Sequence, residues 1–211
     1  MKRFSSLLLV AVVALGLTLT GCDSNSTDDG SMTMTMTESS KSTTTASKST
    51  SKSHVGDLQK AEMVVSDVTV VSENSDDETS VLTTESFTVD LKKLNSGLEE
   101  NIDDFSIPVN PSEGYGQIRL KTGSEAVKLT LKDGTEKTAR VASSEIKLNF
   151  SPAFTVDSPD DRVDVTVDWD VEESLKGREA GSDLAQNGLV ITPVVQAEAT
   201  VTSATDDGNS N

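Results

Sequence analysis

Arg162-Val-Asp-Val-Thr-Val-Asp-Trp-Asp170 alternates polar and apolar side chains without a break. Successive side chains of a strand point to opposite faces, so a two-residue period marks a half-buried strand. Val163, Val165, Val167 and Trp169, with Val171 just beyond, are expected to face a core, and Asp164, Asp168 and Asp170 to face water. The same period recurs on both sides. Ile146, Leu148 and Phe150 alternate with polar residues, as do Ile118 and Leu120, then Val127, Leu129 and Leu131. Asp133-Gly134 suits the two positive φ angles of a type I′ turn, which predicts a hairpin of residues 126–132 with 135–141. Phe87, Val89 and Leu91 repeat the pattern, and Met32-Thr-Met-Thr-Met-Thr37 repeats it with the methionines inward.

Three stretches read less simply. Val64, Val68 and Val70 share one phase while Met63, Val65 and Val71 share the other, which predicts a strand buried on both sides. Residues 92–104 lose the period and are expected to form a short helix or turns. Leu189 to Val195 and on to Val201 is apolar enough for a C-terminal strand, with Pro193 at an edge or bulge.

Roughly eight strands with little helical periodicity predict an all-β protein: an antiparallel β-sandwich, Greek-key/immunoglobulin-like or transthyretin-like, with a flexible N-terminal tether. Pro108 and Pro111 interrupt the chain without a linker long enough to divide it. One domain over residues 31–203 is the expectation, with a disordered tail at 204–211. About 150 residues bury roughly 70% of their unfolded surface, enough to fold without disulfides.

The N-terminus carries Lys2-Arg3, then the apolar run Leu7 to Leu15, then Leu19-Thr20-Gly21-Cys22. A short basic region, an apolar stretch too brief for a span and a small residue before the cut describe a secretory signal over residues 1–21. Leu19, Thr20 and Gly21 before Cys22 resemble the bacterial lipobox, which implies that Cys22 is diacylated and becomes the first mature residue. Each buried CH₂ contributes about 0.8 kcal/mol, so several acyl chains hold a protein firmly on a membrane. The expected location is the cell envelope, outside the cytoplasm, on the periplasmic side or at the cell surface. Asp23 resembles an inner-membrane retention signal, and the acidic stretch Asp23 to Asp29 resembles surface-export signals of other groups. Residues 22–30 read as a flexible spacer.

Composition narrows the chemistry. The 211 residues contain 18 Lys+Arg against 35 Asp+Glu, a net charge of −17, with one His and one Cys. Losing Lys2 and Arg3 with the signal takes this to −19. Nucleic acid is excluded as a partner because phosphate binding needs clustered bases. The acidity fits a soluble, self-repelling outer face, or adaptation to high salt, where charge is screened. The only basic island, Lys41, Lys48 and Lys52, lies in a Ser/Thr/Lys-rich loop over residues 39–54, a solvated insertion able to contact an anionic polymer or accept O-glycans. His54 ends that loop without a second imidazole, which makes it a poor ligand or general base. The methionine row could offer thioethers to Cu(I), yet no His or Cys supports it.

Acidic clusters are the remaining candidates. Asp157, Asp160 and Asp161 sit in a Ser-Pro turn and are the candidate Ca²⁺ ligands for a weak site. Outward Asp residues two apart on a strand stand about 6.6–7 Å apart, wide for a shared Ca²⁺ unless a loop converges. Paired carboxylates could serve a glycoside hydrolase, but no spacing in sequence brings two of them into one cleft. The serines lack a basic partner, and no phosphate loop is present. Trp169 and Tyr115 could form a sugar-stacking platform, although Trp169 falls in phase with the inward valines. Arg119 lies opposite Ile118 and Leu120 in phase, as a cross-strand charge partner would.

Six strings in order carry a family resemblance: Gly30-Ser-Met-Thr-Met-Thr-Met-Thr-Glu38, Phe87-Thr-Val-Asp-Leu-Lys-Lys-Leu-Asn-Ser-Gly97, Tyr115-Gly-Gln-Ile-Arg-Leu120, Ile146-Lys-Leu-Asn-Phe150, Val165-Thr-Val-Asp-Trp-Asp170 and Gly188-Leu-Val-Ile-Thr-Pro-Val-Val195. With the lipobox they resemble the bacterial and archaeal lipoprotein domain of unknown function 4382, over about residues 30–200. The resemblance implies an extracytoplasmic β-sandwich and carries no activity. Thr37-Glu38 leads into the Ser/Thr insertion where the family usually has a Thr-Asp-Ala-Pro-like turn.

The functional expectation is a lipid-anchored envelope protein whose non-catalytic sandwich serves binding, adhesion or structural assembly. The alternatives are a Ca²⁺-dependent adhesion module and an envelope polysaccharide hydrolase. Expected partners are the membrane, through the lipid, and an envelope protein or glycan. No cofactor is expected beyond the lipid on Cys22 and a weakly held Ca²⁺.

Overall fold

The computed structural model describes residues 29–39, 55–73, 79–175 and 189–203. Cys22 with Leu19, Thr20 and Gly21, residues 40–54 with His54, and the tail at 204–211 lie outside the described residues. In chain order the strands are β1 (Asp29–Glu38), β2 (Leu58–Ser72), β3 (Thr79–Thr83), β4 (Phe87–Asp90), β5 (Glu100–Pro108) and β6 (Asn110–Leu131). They continue as β7 (Glu136–Val141), β8 (Glu145–Val156), β9 (Arg162–Trp169), β10 (Leu189–Ile191) and β11 (Val195–Thr202). Two one-turn helices, α1 (Leu91–Leu94) and α2 (Val171–Ser174), follow β4 and β9.

The strands form an all-β sandwich. One sheet has the order β11-β9-β1-β5; the other runs β10-β7-β6-β2-β3, with β4 also on β2 and β8 also on β6. Their inward side chains meet in one cluster: Met32, Met34, Met36, Val163, Val165, Val167 and Trp169 from the first sheet pack with Ile118, Leu120, Val127, Leu129, Ile146 and Leu148 from the second. The methionines and Trp169 are fully buried, on the face that alternation assigned them.

The expected antiparallel sandwich forms, with two parallel contacts inside it: β1 runs parallel to β9, and β10 parallel to β7. Alternation specifies which face a strand buries and is blind to its direction. Parallel neighbours need a long crossover, and the chain between β1 and β9 supplies one by building β5 and most of the second sheet.

Bulges account for the irregular stretches. Pairing of β2 with β6 shifts between Val65 and Asp67, which inserts a residue and reverses the phase. Ala61, Met63 and Val65 before the shift and Val68 and Val70 after it therefore enter the same core, while Val64 is half-buried. Up to Val65 only one face of β2 is buried, whereas from Val68 to Ser72 both phases are buried, Val71 and Thr69 included, as the expectation of a strand buried on both sides has it. In the 92–104 stretch, α1 forms as expected, with the Asp90 carboxylate accepting from the Lys92 and Lys93 amides at 3.0 and 3.1 Å. Leu91 is buried in this turn rather than extending the strand before it. Turns follow at 95–97, as also expected, and β5 then begins at Glu100; its Ile102-to-Phe105 spacing breaks the period because β1 pairs Met34 with Ile102 and Met32 with Phe105 around a register shift.

The two apolar runs at 118–120 and 127–131 belong to the single 22-residue β6, from which exposed Gly123, Ser124 and Glu125 loop out. The predicted hairpin at Asp133-Gly134 forms, but among the described residues only Gly134 there has positive φ, at +83°. Leu131 O accepts from Gly134 N at 2.9 Å and Leu131 N donates to Thr135 O at 2.9 Å, the pattern of a three-residue loop closed by a left-handed glycine rather than a type I′ turn. The predicted C-terminal strand is divided: β10 joins the second sheet and β11 the first, with Pro193 in the crossing between them.

Candidate functional site: the polar face of the four-stranded sheet

The sequence-predicted Ca²⁺ ligands do not converge. Asp157 and Asp160 are exposed, whereas Asp161 is 2% exposed. Its Oδ2 accepts from the Asp157 and Ser158 amides at 2.8 and 3.0 Å. The Ser203 hydroxyl and the Asp157 amide, with help from the Ser158 amide, hold the Asp161 carboxyl below its ordinary range against the opposing effect of burial. This carboxylate fastens the β8–β9 turn and the end of β11, and the turn in turn fastens β1, since Asp161 O accepts from Ser31 N at 3.0 Å. Among the described residues no group of three or more His, Cys, Asp or Glu is placed to hold a metal ion.

The aromatic and outward residues have comparable structural roles. Trp169 Nε1 donates to Ser174 Oγ at 3.0 Å inside the core, and the buried Tyr115 donates to Pro108 O at 2.8 Å; neither presents a ring to solvent. Arg119 Nε bonds Gln117 Oε1 on its own strand at 2.5 Å and sits opposite Thr69 and Lys147, so its partner is an amide rather than the expected cross-strand carboxylate. Asp170 caps α2 by accepting from Glu173 N at 2.8 Å.

A different set of residues comes together on the outer face of the four-stranded sheet. The inward methionines of β1 force Thr33, Thr35 and Thr37 outward, along the middle of that face. Thr33 Oγ1 donates to Asp104 Oδ1 on β5 at 2.8 Å, Thr35 Oγ1 to Asn101 Oδ1 on β5 at 3.0 Å, and Thr37 Oγ1 to Asp168 Oδ1 on β9 at 2.6 Å. Arg162 Nε donates to Asp164 Oδ1 at 3.0 Å, and its Nη2 reaches Thr33 Oγ1 at 3.3 Å. Thr33, Thr35, Asn101, Ile102, Asp104, Arg162 and Asp164 line an open depression of about 440 Å³. Asp104 and Asn101 lie on β5 on one side of the threonines, Arg162 and Asp164 on β9 on the other.

A family model for a domain of unknown function, DUF4382, matches residues 31–191. The chain belongs to this family. The match runs from β1 to β10 and takes in every residue lining the depression, while β11 lies beyond it. No curated protein and no solved structure gives a significant match. Of the residues on the DUF4382 sheet face, sequence reading placed Asp164 and Asp168 outward and passed over Thr33, Thr35, Asn101, Asp104 and Arg162. The Thr phase of Met32 to Thr37 was the available signal, but its neighbours are set by pairings 66 to 131 residues apart.

Proposed function

We propose that this protein is held outside the cytoplasm by lipid on Cys22, and that its sandwich is a non-catalytic module for binding, adhesion or assembly at the cell envelope. The observation that carries the reading is the ordered polar array on the uncovered face of the four-stranded sheet. Its hydroxyls, carboxylates and guanidinium are fixed by bonds to one another on rigid strands, the arrangement expected of a preorganised contact surface. A glycosidase needs one carboxyl kept protonated by burial. Asp104 is exposed and the Asp164 side chain is 50% exposed, and each is engaged through Oδ1 in the array.

Detergent partitioning and turnover assays test the two halves together. The expressed full chain is expected to enter the detergent phase and a Cys22→Ser form the aqueous phase, with no reducing sugar released from envelope polysaccharide by either. Aqueous partitioning of the wild type overturns the anchoring. Sugar release abolished by Asp104→Asn or Asp164→Asn overturns the non-catalytic assignment.

A further inference from the structure

We infer that the depression between β5, β1 and β9 is a subsite for a neutral, hydroxyl-rich saccharide, which gives the proposed binding role a ligand class and rests on that role. It is an open, polar depression of about 440 Å³, unlike the enclosing and largely apolar clefts that take most small ligands. Ile102 is the one apolar residue lining it, so an apolar ligand finds little to bury.

The polar groups are half spent on each other and half open. Asp104 and Asp164 each use Oδ1 within the array, and among the described residues their Oδ2 atoms have no partner. Asn101 accepts through Oδ1 and keeps its amide N–H groups free among the described residues. Arg162 spends Nε and one Nη2 hydrogen, leaving further N–H donors on a planar fork. Open acceptors and open donors thus stand together on β5 and on β9, the two strands that flank β1 at about 4.8 Å on either side. A hydroxyl both donates and accepts, so a polyol matches such an array at every position. Neighbouring hydroxyls of a sugar ring can satisfy a carboxylate oxygen and an amide or guanidinium N–H together.

Charge selects among saccharides and against other polar ligands. The chain carries −17, which repels anionic polymers. A cationic ligand meets the Arg162 guanidinium, which already pairs with Asp164. Neutral sugars pay neither penalty. An open, non-aromatic site of this kind binds one chain segment weakly, and an array of anchored copies on one polymer gains by avidity.

The test uses the full acylated chain, ¹⁵N-labelled, in a sugar-free detergent. Maltohexaose, cellohexaose and laminarihexaose are each titrated at millimolar concentrations, with hexalysine as the cationic control. The expected result is that at least one oligosaccharide shifts amide signals of β1, the middle of β5 and the start of β9. Arg162→Ala and Asn101→Ala should each weaken this roughly tenfold or more, while Lys128→Ala, exposed on the other sheet, leaves it unchanged. Binding by none of the three, shifts that map elsewhere, shifts caused only by hexalysine, or affinity surviving both substitutions overturns the subsite and leaves the anchored binding or assembly role standing. Shortened oligosaccharides on a chromatogram overturn the non-catalytic reading and leave the subsite in place.

Discussion

Replacing Asp161 removes the anchor on which three strand ends depend, and its cost follows from the geometry. The 2% exposed carboxylate accepts two backbone N–H bonds at 2.8 and 3.0 Å, and the nearby Ser203 hydroxyl also favours its charged form. Hydrogen bonds to a charged acceptor contribute about 1.5–3 kcal/mol each, offset in part by the cost of burying the charge. Asp161→Ala is therefore expected to cost about 2–4 kcal/mol, a fall in Tm of roughly 5–15 °C for a domain of this size. Asp161→Asn keeps the shape and one acceptor oxygen and should cost about half as much. The pH dependence has a fixed sign. A carboxyl held low in the folded state contributes its full stability above the unfolded value, near pH 4, and loses it as the pH falls through the folded value. The gap between wild type and either variant should be complete at neutral pH and close in acid. Trp169, the one tryptophan in the chain and fully buried, reports unfolding in urea by its fluorescence. An Asp161→Ala midpoint within about 0.5 kcal/mol of wild type at neutral pH, or a gap as wide in acid as at neutrality, would refute the anchoring role.

Gly30→Ala should destabilise by about 1–3 kcal/mol, as overpacking does, because its Cβ would stand 2.8 Å from Val156 Cγ1 and 3.0 Å from Asp161 O; an unchanged urea midpoint contradicts this. Ser174→Ala leaves Trp169 Nε1 and Val194 N without the hydroxyl they share at 3.0 and 2.8 Å, and a loss of about 2–4 kcal/mol is expected. Equal stability of that variant in denaturant titration would show that Ser174 does not join β9 to the β10–β11 crossing. The charge of −17 predicts a Tm that rises between low salt and 1 M NaCl, as the Debye length shrinks to about 3 Å. A flat or falling Tm excludes self-repulsion as a destabilising force.

Local alternation made the inward residues legible: Met32 to Met36, Ile146 to Phe150 and Val163 to Trp169 all bury the side chains that the period selects. Bulges defeated it, since the shift near Asp67 and the one opposite Thr33 each reverse the phase without a marker residue. Strand direction was illegible for a further reason. A buried face can be covered by a parallel or an antiparallel neighbour, and β9 reaches β1 only after some 120 intervening residues. The candidate site shares that limit. Thr33 and Thr35 announce an outward polar row, but Asn101, Asp104 and Arg162 join them only through pairings the local sequence does not encode. Asp161 failed differently: a carboxylate in a turn reads the same whether it faces an ion or its own backbone amides.

The interior position of β1 has a mechanical consequence. The anchor proposed at Cys22 pulls on the chain at Asp29, where β1 begins, while β1 is gripped by β5 on one side and β9 on the other. Ladder bonds lie across the strands, so a force along β1 loads both rows in shear, with many bonds sharing it, rather than peeling them open one at a time. An edge strand leading to the tether would unzip under the same pull. With the anchor and the saccharide subsite proposed above, tension between them would run along β1, a strand paired on both sides.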